Sequence, residues 1–253
     1  MISSEIRRMS KFRKEFEASN VLIDCMNEII DKYKGRLKLK GNLAQQDLDL
    51  LVAAMFAKAG KTFQAILKLS SLGFGEDALI LLRSNINLMV NLGYILAQDS
   101  VERAGDLIAS SHKEQVKYLA IAHQAKPKWV RKLKWDRINK GARRWKNASI
   151  ERKAEEAKQS YHYDVGYRFY SSLEHSDAWA LSRYVVDWNE IGPKISSAPS
   201  NAFVGIALVH NFWVTANIFL AFCSHYSIQE SQIVDKLDEN WKKLGGQSAL
   251  QRT

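Results

Sequence analysis

The run Tyr167-Arg168-Phe169-Tyr170-Ser171-Ser172-Leu173-Glu174-His175 has the spacing best suited to chemistry. Arg168 and His175 stand seven residues apart. On a helix, seven steps of about 100° return to nearly the same face, about 10 Å further along the axis. Ser171 and Ser172 fall between them on that side. One stripe then offers a guanidinium, two hydroxyls and an imidazole. A guanidinium grips a phosphate through two parallel hydrogen bonds. An imidazole near its ordinary pKa moves protons at neutral pH. Such a set supports metal-free RNA cleavage, in which a 2′-hydroxyl attacks the neighbouring phosphate. Two plainer roles stand beside it. Asp164 precedes Arg168 by one turn and can pair with it. His175 can bond a carbonyl at a helix end.

Arg83 is the second residue of interest, because its helix is largely apolar. A charge there needs a partner. It either reaches a carboxylate on another helix or faces a polar pocket with Asn87, Tyr167, Ser171 and His175. Gly60-Lys61-Thr62 imitates the end of a phosphate-binding loop but fails. Met55 replaces the required earlier glycine, and the triplet lies inside a helical pattern. The 6 histidines show no metal-ligand spacing, so neither a metal nor a cofactor is expected.

Charge is concentrated between Lys126 and Lys153. That stretch holds Lys128, Arg131, Lys132, Lys134, Arg143 and Arg144 among its cations, with Trp129, Trp135 and Trp145 interleaved. Its anions are Asp136 and Glu151, and its excess matches the whole chain's net charge of +10. Cations release counterions from phosphates, and indoles stack on unpaired bases. The pattern reads as a contact surface for RNA or single strands. The alternative is a solvated segment whose tryptophans anchor it to the protein.

The elements that must carry these residues are helical. From Asn42 to Ser71, Leu48, Leu51, Val52, Met55, Phe56, Ala59, Phe63, Ile66 and Leu67 recur at three- and four-residue steps. Gly73-Phe74-Gly75 breaks the pattern, and Ala78 to Ala97 resumes it. Val21 to Tyr33 forms an earlier helix. Ser100 caps another to about Ala125, Ser149 caps a long one to about His175, and Asn201 to Tyr226 forms the last. The stretch Ala202 to Cys223 is long enough to span a bilayer. However, His210, Asn211, Thr215 and Asn217 interrupt it, which favours a central buried helix or a dimer interface.

The chain has 253 residues, 46% of them hydrophobic, with 3 prolines. These figures fit one all-α domain, a multi-helix bundle with peripheral helices. Its core runs from about 15 to 227, with 126–153 peripheral and 228–253 a C-terminal tail. Two cysteines exclude a disulfide scaffold. Met1 to Arg13 lacks an apolar leader core, so a cytoplasmic protein off the membrane is expected.

An ordered series of residues carries a family resemblance. It comprises Phe56-Ala57-Lys58, Thr62, Ala65-Ile66-Leu67, Leu69, Gly73, Ala78 and Leu82-Arg83-Ser84. Asn91, Tyr94-Ile95-Leu96, Glu102-Arg103-Ala104, Trp145, Ile150, Ala154 and Ala157 follow. Tyr163, Tyr167, Ser171 and His175 complete it. The sequence resembles a bacterial domain-of-unknown-function family, number five-six-seven-seven. That family places a glutamate one turn after its arginine–serine pair; Asn87 stands here. Its layout looks like that of the HEPN proteins, helical bundles common in toxins and phage defence. Their ribonuclease members use an arginine, four to six intervening residues and a histidine, with two motifs meeting in a dimer. Arg168 and His175 fit that spacing, with Phe169 where those members carry a polar residue. The family has no agreed activity, so the resemblance implies a fold more than a function; with the Arg168–His175 spacing, the leading expectation is a metal-independent endoribonuclease acting as a homodimer. A non-catalytic subunit binding RNA or a partner protein, and a small-molecule sensor built on Arg83, Tyr167 and His175, remain alternatives.

Overall fold

The computed structural model describes residues 2–33, 41–122, 134–189, 192–229 and 231–246. In chain order the elements are α1 (Ile2–Lys11), α2 (Arg13–Tyr33), α3 (Leu43–Leu72), α4 (Gly75–Ala97) and α5 (Ser100–Ala122). Next come α6 (Trp135–Asn147), α7 (Ile150–Glu156), α8 (Ser160–His162), a π-helical turn (Tyr163–Tyr167), α9 (Arg168–Glu174) and α10 (Ala178–Ser182). Strands β1 (Val185–Asn189) and β2 (Gly192–Ile195) precede α11 (Val204–His225) and α12 (Ser231–Lys243). The chain is an all-α, multi-helix protein with one small antiparallel hairpin, in which Asp187 opposes Lys194 and Asn189 opposes Gly192. That hairpin is the one departure from helix among the described elements.

The chain divides into two compact units. The first comprises residues 1–37, 55–89 and 161–253; the second comprises 38–54 and 90–160. In the first, α2 packs against α11 and α12. Its core is built from the predicted stripe: Phe56, Phe63 and Ile66 of α3 are buried with Leu82 and Ile86 of α4 and with Phe212 and Phe219 of α11. Phe56 stacks on Phe222 with ring centres 4.2 Å apart. In the second, α5 packs on α6, and Ala104, Val116, Ile138, Ala142 and Trp145 are buried.

Two glycines make the α3–α4 corner. Gly73 adopts a φ of 89°, the left-handed region, and Phe74 N–H returns to the Leu69 carbonyl at 2.9 Å. At Gly75 a Cβ would fall 2.0 Å from the Ala202 carbonyl oxygen, so only glycine admits that approach.

Three helices, α3, α4 and α11, are long and apolar enough to cross a membrane by length and composition. Polar side chains of α11 nevertheless make hydrogen bonds within the protein. Asn211 donates to the Phe63 carbonyl at 3.3 Å, and Asn85 donates to the Thr215 hydroxyl at 3.4 Å. Twelve of its residues, from Val204 to Cys223, are buried. It is a central helix of the first unit.

The helix expected from Ser149 to His175 is interrupted. Ser149 does cap α7, accepting from Arg152 N–H at 3.1 Å. Lys158 then turns left-handed, with φ 56°, and Gln159 N–H bonds the Ala154 carbonyl at 2.7 Å. This closes α7 before α8 begins. The segment beyond 228 contains α12, whose Ile233, Leu237 and Asn240 are buried.

Candidate functional site

Arg83 is the hub of the most developed polar cluster near the predicted stripe. It projects from α4 toward α9. Its Nε donates to the Ser171 hydroxyl at 2.8 Å, and its Nη2 donates to the Tyr167 hydroxyl at 2.9 Å. Nη1 pairs with the Glu174 carboxylate. The guanidinium carbon lies 4.5 Å from the Tyr167 ring centre, and Tyr163 stacks on Tyr167. Ser171 also donates to the Tyr167 carbonyl at 2.8 Å, so its hydroxyl is used on both sides. The cluster unites Arg83, Tyr167 and Ser171, predicted as one pocket, and adds Glu174, which spacing did not single out. Asn87 is exposed one turn further along α4.

Arg168 and His175 bracket α9. Arg168 is its first residue and is 56% exposed; it sits 3.3 Å from Asp164 and over the Tyr163 ring at 5.2 Å. His175 is exposed and occupies the C-terminal cap position. Its backbone N–H donates to the Ser171 carbonyl at 2.9 Å. The chain then turns left-handed at Ser176, with φ 51°. The pairing available to Arg168 in the sequence is therefore made, and it is an exposed pair of the kind worth about 0–1 kcal/mol. Ser172 donates to the Phe169 carbonyl at 2.8 Å. The hydroxyls thus serve the helix and Arg83, and the stripe presents the guanidinium and imidazole.

Behind α9 lies a buried cluster that no spacing rule revealed. His210 Nδ1 and the Tyr170 hydroxyl are 2.6 Å apart, and His210 Nε2 is 3.4 Å from His162 Nδ1. His162 stacks on Trp213 at 3.5 Å. Burial pulls His162 down to about 3 and His210 to about 4. Burial also pushes the Tyr170 hydroxyl up. Both imidazoles are neutral at pH 7. Gly166 of the π-helical turn makes this possible, because a Cβ there would lie 2.7 Å from His210 Cε1. His162 and His210 stand 48 residues apart, which no local pattern joins.

The basic segment divides into cations that are buried or paired with acids and exposed cations that make no ion pair among the described residues. Lys128, Arg131, Lys132 and Trp129 lie outside the described residues. Arg144 makes a two-pronged contact with Asp106 at 2.7 and 2.6 Å and also approaches Glu102. Its Asp106 hydrogen bonds raise its pKa further. Lys146 pairs with Glu114. Lys153 is buried with its ammonium 3.4 Å from the Trp145 ring centre, and desolvation draws it down to about 8. Trp145 is only 9% exposed and meets Tyr94 edge-on at 5.7 Å. It anchors the second unit, and burial removes it from any surface that stacks on bases. Trp135 is half-buried. Lys134, Arg137, Lys140 and Arg143 are exposed and make no ion pair among the described residues. Arg137, Lys140 and Arg143 recur at three-residue steps along α6.

Among the described residues, no group of three His, Cys, Asp or Glu side chains is placed to hold a metal ion. Fold and cluster together define an all-helical protein with an arginine-centred polar site on α4 and α9. The chain belongs to a family of unknown function, DUF5677, whose model matches residues 49–192. That span contains Arg83, Tyr167, Arg168, Ser171, Glu174 and His175. No curated protein and no solved structure matches the chain.

Proposed function

We propose that the protein is a cytoplasmic, metal-independent endoribonuclease of the HEPN type, acting as a homodimer in a toxin or phage-defence setting. The observation that carries this reading is the placement of Arg168 and His175 at the two ends of one short helix, both exposed. Arg83 supports them from beneath by fixing Tyr167, Ser171 and Glu174. A phosphodiester displaces the exposed Asp164 carboxylate from Arg168, which then neutralises the developing charge on phosphorus. His175 takes the proton from the attacking 2′-hydroxyl. The new P–O2′ bond forms as the P–O5′ bond breaks. The leaving 5′-oxygen takes a proton from water or from the same imidazole in a second copy. The products are a 2′,3′-cyclic phosphate and a 5′-hydroxyl. The exposed cations of α6 bind the RNA backbone.

The test compares wild type with Arg168→Ala and His175→Ala on RNA in EDTA. Wild type cuts, each variant loses activity by about 100-fold or more, and all three melt alike. A second reading draws on the same α6 cations: a non-catalytic subunit that binds RNA. Salt-sensitive binding with no cleavage under any of these conditions selects it.

A further inference from the structure

Helix α1 carries Ser4, Arg7, Arg8 and Lys11 at positions i, i+3, i+4 and i+7, on one face. With Asn201, from the segment before α11, they line a cleft of about 350 Å³. Arg8 is only 8% exposed. Its Nε donates to Asn201 Oδ1 at 3.0 Å and its Nη1 to the Ser71 carbonyl at 2.9 Å. Both acceptors are neutral. Among the described residues, Arg7, Arg8 and Lys11 make no ion pair. The acid on the same helix, Glu5, is committed elsewhere, to Lys68 at 2.7 Å and the Ser71 hydroxyl at 2.9 Å.

The buried Arg8 guanidinium is held by two neutral acceptors, and the one nearby acid, Glu5, already shared with Lys68 and Ser71, offsets only part of the charge that Arg7, Arg8 and Lys11 bring together. The guanidinium is also held in place, since two of its nitrogens are fixed. Arg7 and Lys11 bring two more cations to the same opening. The guanidinium fork of Arg7, the fixed positive charge of Arg8 and the Lys11 ammonium suit the three oxygens and double charge of a terminal phosphoryl group better than a single carboxylate.

We propose that this cleft is a binding site for a terminal phosphate, carried by a free nucleotide or by the 5′ end of an RNA. The site lies outside residues 49–192 and uses neither Arg168 nor His175. It therefore stands or falls independently of the ribonuclease reading.

The experiment uses the full chain and the double variant Arg7→Ala/Lys11→Ala. Both side chains are exposed, so the fold is retained, and matching melting temperatures without ligand verify this. Binding of inorganic pyrophosphate, of AMP, and of one short RNA with a 5′-phosphate or a 5′-hydroxyl is measured by titration calorimetry and thermal melting. The expected result is that pyrophosphate raises the wild-type melting temperature and binds the double variant at least 10-fold more weakly. A 5′-phosphate preference that disappears in the double variant assigns the site to RNA ends. Binding of AMP and pyrophosphate without that preference assigns it to free nucleotides. No pyrophosphate binding, or equal binding by wild type and double variant, overturns the proposal.

Discussion

Arg83 spans two helices with one planar group, and that geometry makes a definite prediction. Arg83→Ala removes the contacts to Ser171, Tyr167 and Glu174 together. The group is half-buried, so the loss should be about 1–3 kcal/mol by urea denaturation. Arg83→Lys should recover little of it, because an ammonium cannot reproduce the fork. Full recovery by lysine would show that charge alone matters. The buried histidines predict a pH response. Against a usual value of 6.5, burial holds His210 at about 4 and His162 at about 3. Between pH 6.5 and about 4 the unfolded chain binds protons that the folded chain refuses. Stability should therefore fall with falling pH, by up to about 1.4 kcal/mol per unit per histidine, and be insensitive to these groups above pH 6.5. His162→Phe keeps the stack on Trp213 and should flatten the profile between pH 7 and 5. An unchanged profile would contradict the assignment. At this scale the sequence identified Arg83, Tyr167 and Ser171 but not Glu174 as their carboxylate. It also left His210 as a polar interruption of an apolar helix, because its partners come from distant segments.

Helix ends decide where the stripe can stand. α7, α9 and α11 all close through a non-glycine residue in the left-handed region: Lys158, Ser176 and Ser227, with φ of 56°, 51° and 55°. In each, the following N–H reaches back to a carbonyl of the last turn, as in Ile228 N–H to Cys223 at 2.8 Å. That conformation costs an L-residue roughly 1 kcal/mol, which glycine avoids. Lys158→Gly and Ser227→Gly should each stabilise the protein by about 0.5–1 kcal/mol in denaturant titrations. A loss of stability at either would show that the side chain contributes more than its backbone strain. The same chemistry explains what periodicity reached and missed. α3, α4 and α11 were legible because their apolar residues recur over many turns and because Gly73 marks the corner. The break at Lys158 was not, since lysine and glutamine carry no stop signal. The π-helical turn was also hidden, because its extra residue is fixed by Gly166 packing on His210 rather than by local preference.

For the whole molecule, the net charge of +10 is distributed with a purpose that composition does not disclose. Part of the basic segment builds the second unit: Arg144 on Asp106, Lys146 on Glu114 and Lys153 over Trp145. Density of charge along the chain does not distinguish these from Arg137, Lys140 and Arg143, because only the fold decides which cations meet acids. If the exposed three bind RNA phosphates, affinity should fall steeply with salt. Each replacement by alanine should lower the slope of log affinity against log salt by about 0.7. Alanine at Arg144 should instead cost stability, through loss of its contact with Asp106.

We propose that RNA is cut by transesterification between Arg168 and His175 without a metal ion. The most direct test is to identify the ends produced from an all-ribose oligomer and from the same oligomer with 2′-O-methyl groups, both in EDTA. Transesterification yields 2′,3′-cyclic phosphate and 5′-hydroxyl ends from the first and leaves the second uncut. Intact RNA throughout, 3′-hydroxyl ends with 5′-phosphates, or cleavage of the methylated oligomer would contradict it.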